Sequence, residues 1–274
     1  MVLFPNSKIN LGLNIIRKRT DGYHDLETIF YPVAIRDALE IIKNNDPKEE
    51  VGISFSGIPI KGRPHDNLCL RAYRILKKEF PQLPAINVHL HKAIPSGAGL
   101  GGGSADGAFM LKLLNQKFDL ELSTKQLLDF ALQLGSDCPF FIINKPCYGT
   151  GRGELLEPVP VNLSPYKFVI VNPGIHVSTA EAFSLLTPSS PSKSIKEVIQ
   201  QPVETWKAEL KNDFERPVFK AYPAIEIIKA TMYESGAVYA CMTGSGSTVY
   251  GIFRKGAELR HDFPENYFVK ELFS

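Results

Sequence analysis

From the eighth residue onward polar and apolar positions alternate: Ile9, Leu11, Leu13 and Ile15 share one parity, and Lys8, Asn10, Gly12 and Asn14 the other. A period of two belongs to a strand, so residues 8–16 are predicted to form a half-buried strand with Lys8 and Asn10 on its polar face. Strand-like runs recur at Leu26 to Val33, Leu39 to Ile42 and Val51 to Phe55, punctuated by Asp21-Gly22, an Asn44 to Pro47 turn and Gly57. The opening third therefore reads as a mostly antiparallel sheet.

Helical spacing begins after Asp66, a candidate N-cap, with Leu68, Ala72, Ile75 and Leu76 on one side and Pro81 as the stop. A strand from Ile86 to His91 then runs directly into a glycine-rich bend and an apolar helix containing Phe109, Leu111, Leu113 and Leu114. Ser123 and Gln126 form a capping box for the next helix, and Gly135 suits a left-handed residue at its end. Texture changes between Gly149 and Pro160, where a boundary is expected, giving segments 1–152 and 153–274. Beyond it come a strand from Phe168 to Val171, a helix opened by Ser178 and Glu181, helical segments over much of 195–233, and two strands around Thr243 to Ser247. Strands followed by helices, without repeats, indicate an α+β fold.

Composition narrows the chemistry. Over 274 residues, 31 Lys and Arg against 29 Asp and Glu leave a formal charge of +2, too balanced for the broad basic field of a nucleic-acid binder. Anion binding must be local. Cys69, Cys138, Cys147 and Cys241 are widely spaced, with no C-x-x-C pair, and read as reduced core thiols of a cytoplasmic protein. Pro5 and Lys8 interrupt the N-terminal segment before it reaches signal-peptide length, and no run approaches a membrane span, so no membrane partner is expected. Oligomeric state is not legible.

The bend itself holds Gly97, Gly99, Gly101, Gly102 and Gly103, five glycines within seven residues, followed by Ser104. Backbone without side chains can wrap a phosphate, and successive N–H groups at a helix start form an anion site that needs no cationic side chain. A simple turn needs only one or two glycines. No lysine stands where the G-x-x-x-x-G-K-[ST] loop requires one, which excludes that motif. Gly97-x-Gly99-x-x-Gly102 matches the dinucleotide pattern formally, but the preceding strand alternates and a second helix follows instead of a strand.

Pro95, Gly97, Gly99, Leu100, Gly101, Gly102, Gly103, Ser104 and Ala105 resemble the central phosphate-binding motif of the GHMP kinases, named for galacto-, homoserine, mevalonate and phosphomevalonate kinases. Pro5, Lys8, Ile9, Asn10 and Leu11 resemble the family's first motif, and Met242 to Ser247 its third, in the expected order. Asp106-Gly107 departs from the pattern, in which alanine follows the Asp or Asn. The resemblance implies a two-lobed fold, with an N-terminal α/β lobe like ribosomal protein S5 and a C-terminal ferredoxin-like α+β lobe. It also implies an ATP-dependent kinase acting on a small-molecule alcohol, with Mg²⁺.

Site residues carry over one by one. Pro95, Gly97 and Gly99 to Ser104 are expected to hold ATP, with Ser104 on the metal and Asn67 and Lys92 near the base and phosphates. Asp137 is expected to take the acceptor's proton and Lys8 to stabilise the transferring phosphoryl group. Read alone, Lys8 also fits a solvated lysine at a strand end and Asp137 a helix N-cap. Asp21-Gly22-Tyr23-His24, Thr28, Phe30, Gly135-Ser136-Asp137, Asn172-Pro173-Gly174, Thr179 and Phe183 are similar to a branch of the family whose acceptor is a cytidine diphosphate alcohol. The resemblance places Tyr23, His24 and Phe183 at the cytidine group, and Asn10 and Thr179 near the alcohol.

Overall fold

The structure is a computed structural model describing residues 1–44, 50–60, 63–258 and 263–273. Backbone contacts group the chain into two compact units. One comprises Met1–Ser7, Ile35–Ser96 and Gly101–Lys145; the other comprises Lys8–Ala34, Gly97–Leu100 and Pro146–Ser274. This grouping by contact draws on alternating stretches of chain and is separate from the linear division at residue 152.

The first unit is built on a four-stranded sheet in the order β1 (Val2–Leu3), β4 (Ala38–Lys43), β6 (Ile86–Lys92) and β5 (Val51–Gly57). The β1–β4 and β4–β6 pairs are antiparallel, and β5 lies parallel to β6, the exception in an opening third expected to be mostly antiparallel. The crossover that parallel pairing needs is supplied by α1 (Leu68–Glu79), which follows β5 and precedes β6. The unit also holds α2 (Gly102–Lys117), α3 (Thr124–Leu134) and α4 (Cys138–Ile143).

Alternation sets the burial of β6: Ile86, Val88 and Leu90 are buried while His89 and His91 face out. Lys92 shares the inward parity and is 3% exposed. In α1 the cap is Asn67 and not Asp66; Asn67 has an extended backbone and its Oδ1 accepts from the Cys69 N–H at 2.8 Å. Asp66 belongs to a short 3₁₀ turn just before it. The Ser123–Gln126 capping box of α3 forms as expected. Gly135, at φ 168°, is extended and not left-handed.

The second unit carries two sheets. One runs β2 (Asn6–Lys18), β3 (His24–Arg36), β7 (Cys147–Thr150) and β8 (Leu155–Pro158). The other runs β10 (Tyr239–Met242), β11 (Val249–Arg254), β9 (Tyr166–Asn172) and β12 (Phe268–Phe273). β12 pairs antiparallel with β9 along its length, a strand not anticipated in the tail. Helices α5 (Thr179–Ser184), α6 (Ile195–Val198), α7 (Trp206–Glu209), α8 (Glu215–Ala221) and α9 (Pro223–Glu234) complete the unit. Leu13, Ile15, Val169, Val171, Ile225, Ile228 and Val249 belong to one buried core. The β2 strand is buried on both faces from Asn6 to Leu13, more deeply than its alternation implies.

The expected Asn44 to Pro47 turn falls mostly outside the described residues. Among those described, no helix is long and apolar enough to cross a membrane. All four cysteines are buried and free. Burial pushes their thiols up, to about 12 for Cys138 and about 11 for Cys147, and well above the ordinary range for Cys69.

The unexpected glycine at 107 has a packing cause. A Cβ placed there would lie 2.8 Å from Leu68 Cβ and 3.3 Å from a Leu134 methyl group, so α1 and α2 approach as closely as a bare backbone allows. Gly→Ala inside a helix ordinarily stabilises by about 1 kcal/mol. Here Gly107→Ala is expected to lower the Tm, because Leu68 Cβ can yield only by moving its backbone. A thermal melt that rises instead would show that the helices separate freely.

Candidate active site

The second unit brings the first motif, the third motif and the first half of the glycine bend together. Lys8 is 3% exposed on β2, and its Nζ donates to Asn10 Oδ1 at 2.7 Å while lying 5.5 Å from the Phe30 ring centre. It is therefore not a solvated strand-end lysine. Asn10 is held on every side: Nδ2 donates to Thr28 Oγ1 at 3.0 Å, its N–H donates to Thr243 Oγ1 at 3.0 Å, and its carbonyl accepts from the Tyr250 hydroxyl at 2.8 Å. These partners cover the polar face of β2, which is why that strand has no wet side.

The bend is fastened to the same group. The Lys8 N–H donates to Leu100 O at 3.0 Å, and the Thr248 N–H to Ala98 O at 3.3 Å. Thr243 Oγ1 lies 3.1 Å from Asn10 Oδ1 and 3.2 Å from Gly99 O, two alternative acceptors for its single proton. At Gly99, φ is +78° and a Cβ would stand 2.1 Å from the Thr243 carbonyl oxygen, so only glycine passes.

An aromatic group forms elsewhere in this unit. The His24 and Phe183 rings stack at 4.6 Å and 18°, and Phe183 meets Phe214 edge-on at 4.9 Å. Burial, with Lys18 adding, holds the His24 pKa below its ordinary value, so a neutral imidazole offers one donor and one acceptor. Tyr23 is 54% exposed, and the Arg152 guanidinium lies 4.8 Å from its ring centre. Thr179 Oγ1 is 3.1 Å from Ser245 Oγ, which ties it to the third motif.

In the first unit, Gly101 takes φ 70° and caps α2 with no side-chain bond. The leading amides of that helix have no intrahelical acceptor, an arrangement suited to receiving an anion. Ser104 stands in the first turn, half-buried, with its hydroxyl hydrogen-bonded to the Cys138 thiol. A hydroxyl engaged in this way keeps a lone pair for a hard cation, so Ser104 fits a Mg²⁺ ion delivered with a nucleotide. Asp137 sits at the N-cap position of α4 but makes no side-chain capping bond.

Beneath the α2 start lies a cluster that sequence reasoning found only in part. Lys92 Nζ donates to Asp106 Oδ2 at 2.6 Å and to Asp37 Oδ2, with all three residues at most 3% exposed. Asp37 Oδ1 accepts from the N–H groups of Ala93 and Ile94 at 2.6 and 2.9 Å. Burial raises the Asp106 pKa; Lys92 opposes this and Asp37 adds to it, leaving the carboxyl at about 7. Lys92 stays charged, because the two carboxylates outweigh the effect of burial on its ammonium. No motif marks Asp37, whereas the parity of β6 alone could have pointed Lys92 inward.

Comparison with known proteins settles the family. Residues 67–145 match the GHMP kinases N terminal domain and residues 194–268 the GHMP kinases C terminal domain. The chain belongs to the GHMP kinases. Members of this family are ATP-dependent kinases. Among similar GHMP kinases, a 4-diphosphocytidyl-2-C-methyl-D-erythritol kinase from Bacteroides fragilis is 54% identical over 253 residues, 92% of each chain. One of the same name from Bacteroides thetaiotaomicron is 52% identical over 269 residues, 98% of each. A crystal structure of 4-(cytidine 5'-diphospho)-2C-methyl-D-erythritol kinase superposes over 100% of both chains with a TM-score of 0.80 and 27% identity. Homoserine kinase from Cytophaga hutchinsonii, at 14% identity, shares the fold with a TM-score of 0.70 over 93% of this chain and 85% of its own.

The Asp106 carboxyl makes stability depend on pH. Its folded pKa is raised above the unfolded value, so its contribution is complete below about pH 4 and is lost as pH climbs through about 7. Asp106→Asn cannot ionise, and its stability relative to the wild type should grow across that window. Urea unfolding at pH 5, 7 and 8.5 measures this; a constant difference between the two proteins would contradict the raised pKa.

Proposed function

We propose that this chain transfers the γ-phosphate of ATP to the 2-hydroxyl of 4-diphosphocytidyl-2-C-methyl-D-erythritol, a step of the non-mevalonate route to isoprenoid precursors. The observation that carries this reading is the 52–54% identity, over 92–98% of the chain, to relatives bearing that enzyme's name. The aromatic group supports it. Neither homoserine nor mevalonate needs a nucleobase site, whereas Tyr23, His24 and Phe183 offer a pyrimidine stacking surface and a neutral imidazole hydrogen-bonding edge.

Phosphoryl transfer demands positioning and charge stabilisation more than covalent chemistry from the protein. The amides of Gly99 to Ser104 are assigned the β- and γ-phosphates, which sit on main-chain donors and the positive end of α2. Pro95, Gly97 and Leu100 shape the bend, and Asn67 is placed near the adenosine. Lys92, enclosed by Asp37 and Asp106, is assigned a supporting place beneath the start of α2 and not direct contact with the phosphates. Asn10 and Thr179 are assigned to the erythritol part of the acceptor.

Ser104 would hold Mg²⁺, which supplies charge neutralisation on the phosphate oxygens. Lys8, kept ready by Asn10 Oδ1, is assigned the charge that develops on the transferring phosphoryl group. Asp137 is assigned the acceptor hydroxyl: its carboxylate orients the O–H and takes the proton as the new P–O bond forms.

ATP consumption should accompany the cytidylylated methylerythritol and not mevalonate, homoserine or galactose, offered in parallel at equal concentration. Turnover on one of the other three would overturn the acceptor assignment. Asp137→Asn should leave ATP affinity within about twofold while lowering kcat by roughly 10²–10⁴. Single-turnover kinetics with an unimpaired rate would remove Asp137 from the mechanism.

A further inference from the structure

The β2–β3 hairpin and the turn beside it carry Arg17, Arg19 and Arg152, and their guanidinium groups are not equally committed. Arg17 Nε donates to Asp25 Oδ2 at 2.5 Å, while Arg19 donates to Asp21 Oδ2 at 3.1 Å and to Asp25 Oδ1 at 3.2 Å. Arg152 is different. Its guanidinium makes no hydrogen bond among the described residues, and Glu154 Oε1 stands 3.6 Å from its Nε, beyond hydrogen-bonding range. The Glu154 carboxylate is spent on the main chain instead, where Oε2 accepts from the Arg152 N–H at 2.6 Å.

Local backbone fixes where that side chain stands. β7 and β8 are joined by a turn through Gly151, Arg152 and Gly153, whose glycines take φ +67° and +104°. The Leu26 N–H donates to Gly151 O at 2.7 Å, which fastens the turn to β3 beside Tyr23 and His24. A Cβ on Gly151 would lie 2.9 Å from Glu154 Oε2, so a side chain there would displace the carboxylate that holds the Arg152 amide. The result is a guanidinium 4.8 Å from the centre of the Tyr23 ring, which is itself exposed. A guanidinium laid over an aromatic face keeps its N–H donors in its own plane, so ring contact and anion binding do not compete.

We infer that Arg152 is a specificity-determining residue for the acceptor: its guanidinium donates to the diphosphate that joins the acceptor's cytidine to its alcohol. This rests on the acceptor reading given above. A diphosphate brings negative charge into this unit, and Lys8 is already assigned to the transferring phosphoryl group. The forked donors of arginine match phosphate oxygens in pairs, and such charge-assisted bonds are roughly twice as strong as neutral ones. Lys18, the other cation that acts on His24, lies exposed at the end of β2 and offers a point charge without a fork. Arg152 thus serves two parts of one ligand, the base through the Tyr23 ring it covers and the diphosphate through its donors. Neither mevalonate, homoserine nor galactose joins a nucleobase to its hydroxyl through a diphosphate, so this contact favours the cytidylylated acceptor over them.

Calorimetry on the full chain tests this with cytidine, CMP and CDP as ligands, in excess Mg-ADP so that the ATP site is filled. The wild type should hold CDP more tightly than cytidine. Arg152→Gln should raise the Kd for CDP about tenfold while that for cytidine stays within about twofold. Arg152→Lys should recover part of the loss, because the charge remains and the fork does not. In steady-state kinetics the fall in kcat/KM should be carried by the acceptor's KM, with the KM for ATP unmoved. Lys18→Gln, an exposed charge, should leave both Kd values within about twofold. Equal losses of cytidine and CDP in Arg152→Gln would mean that the arginine only supports the Tyr23 ring, and would overturn the inference. An unchanged CDP affinity, or a loss confined to Lys18→Gln, overturns it too. Should Arg152→Gln fail to fold, Arg152→Lys decides by the same split: CDP must weaken and cytidine must not. A wild type that binds neither cytidine nor CDP would bring down the acceptor reading itself.

Discussion

The backbone at Gly99 runs so close to the Thr243 carbonyl that no side chain can stand between them, and the grouping of the three motif segments depends on that approach. With a left-handed φ at the same residue, the chain is turned so that Leu100 accepts from Lys8 while Ala98 accepts from Thr248. Asn10 completes the arrangement by meeting Lys8, Thr28, Thr243 and Tyr250 with its four polar groups. Three stretches far apart in sequence, with Thr243 144 residues beyond Gly99, are thus held by main-chain hydrogen bonds and one amide, with packing around them. The phosphate site proposed for this backbone keeps its shape only if what fastens the backbone is rigid, and buried, hydrogen-bonded polar groups provide that rigidity.

Much of this was legible in the sequence, because local rules act over a few residues. Alternation located β2 and β6, a strand-like run located β4, the capping box fixed the start of α3, and glycine density marked the bend that leads into α2. What escaped were consequences of partners distant in sequence. Both faces of β2 are buried because Thr28, Thr243 and Tyr250 cover its polar side, and a strand's own pattern cannot show what lies above it. The parallel pairing of β5 with β6 and the docking of β12 on β9 are likewise choices of neighbour. Asn67 prevailed over Asp66 as the α1 cap because both suit the position and only the backbone turn before the helix decides between them.

The candidate site divides in the same way. Lys8 and Asn10 were expected to share a face, and they do, in direct contact. His24 and Phe183 were expected to serve one base and are stacked on each other. Lys92 was expected beside the nucleotide but is enclosed by Asp37 and Asp106, so any influence it exerts there is electrostatic. Its parity with Ile86, Val88 and Leu90 was visible in the chain; the missing information was that Asp37, fifty-five residues earlier, would meet it. Gly107, which looked like a lapse from the family pattern, is a contact with Leu68.

The thiols give the molecule an internal gauge of its own breathing. Cys69 and Cys138 lie in one compact unit, Cys147 and Cys241 in the other, and all four are shielded from water and held in the unreactive protonated form. An alkylating reagent can reach each sulfur only when the surrounding packing opens. Following modification cysteine by cysteine would therefore register the loosening of each half separately, with no foreign probe introduced.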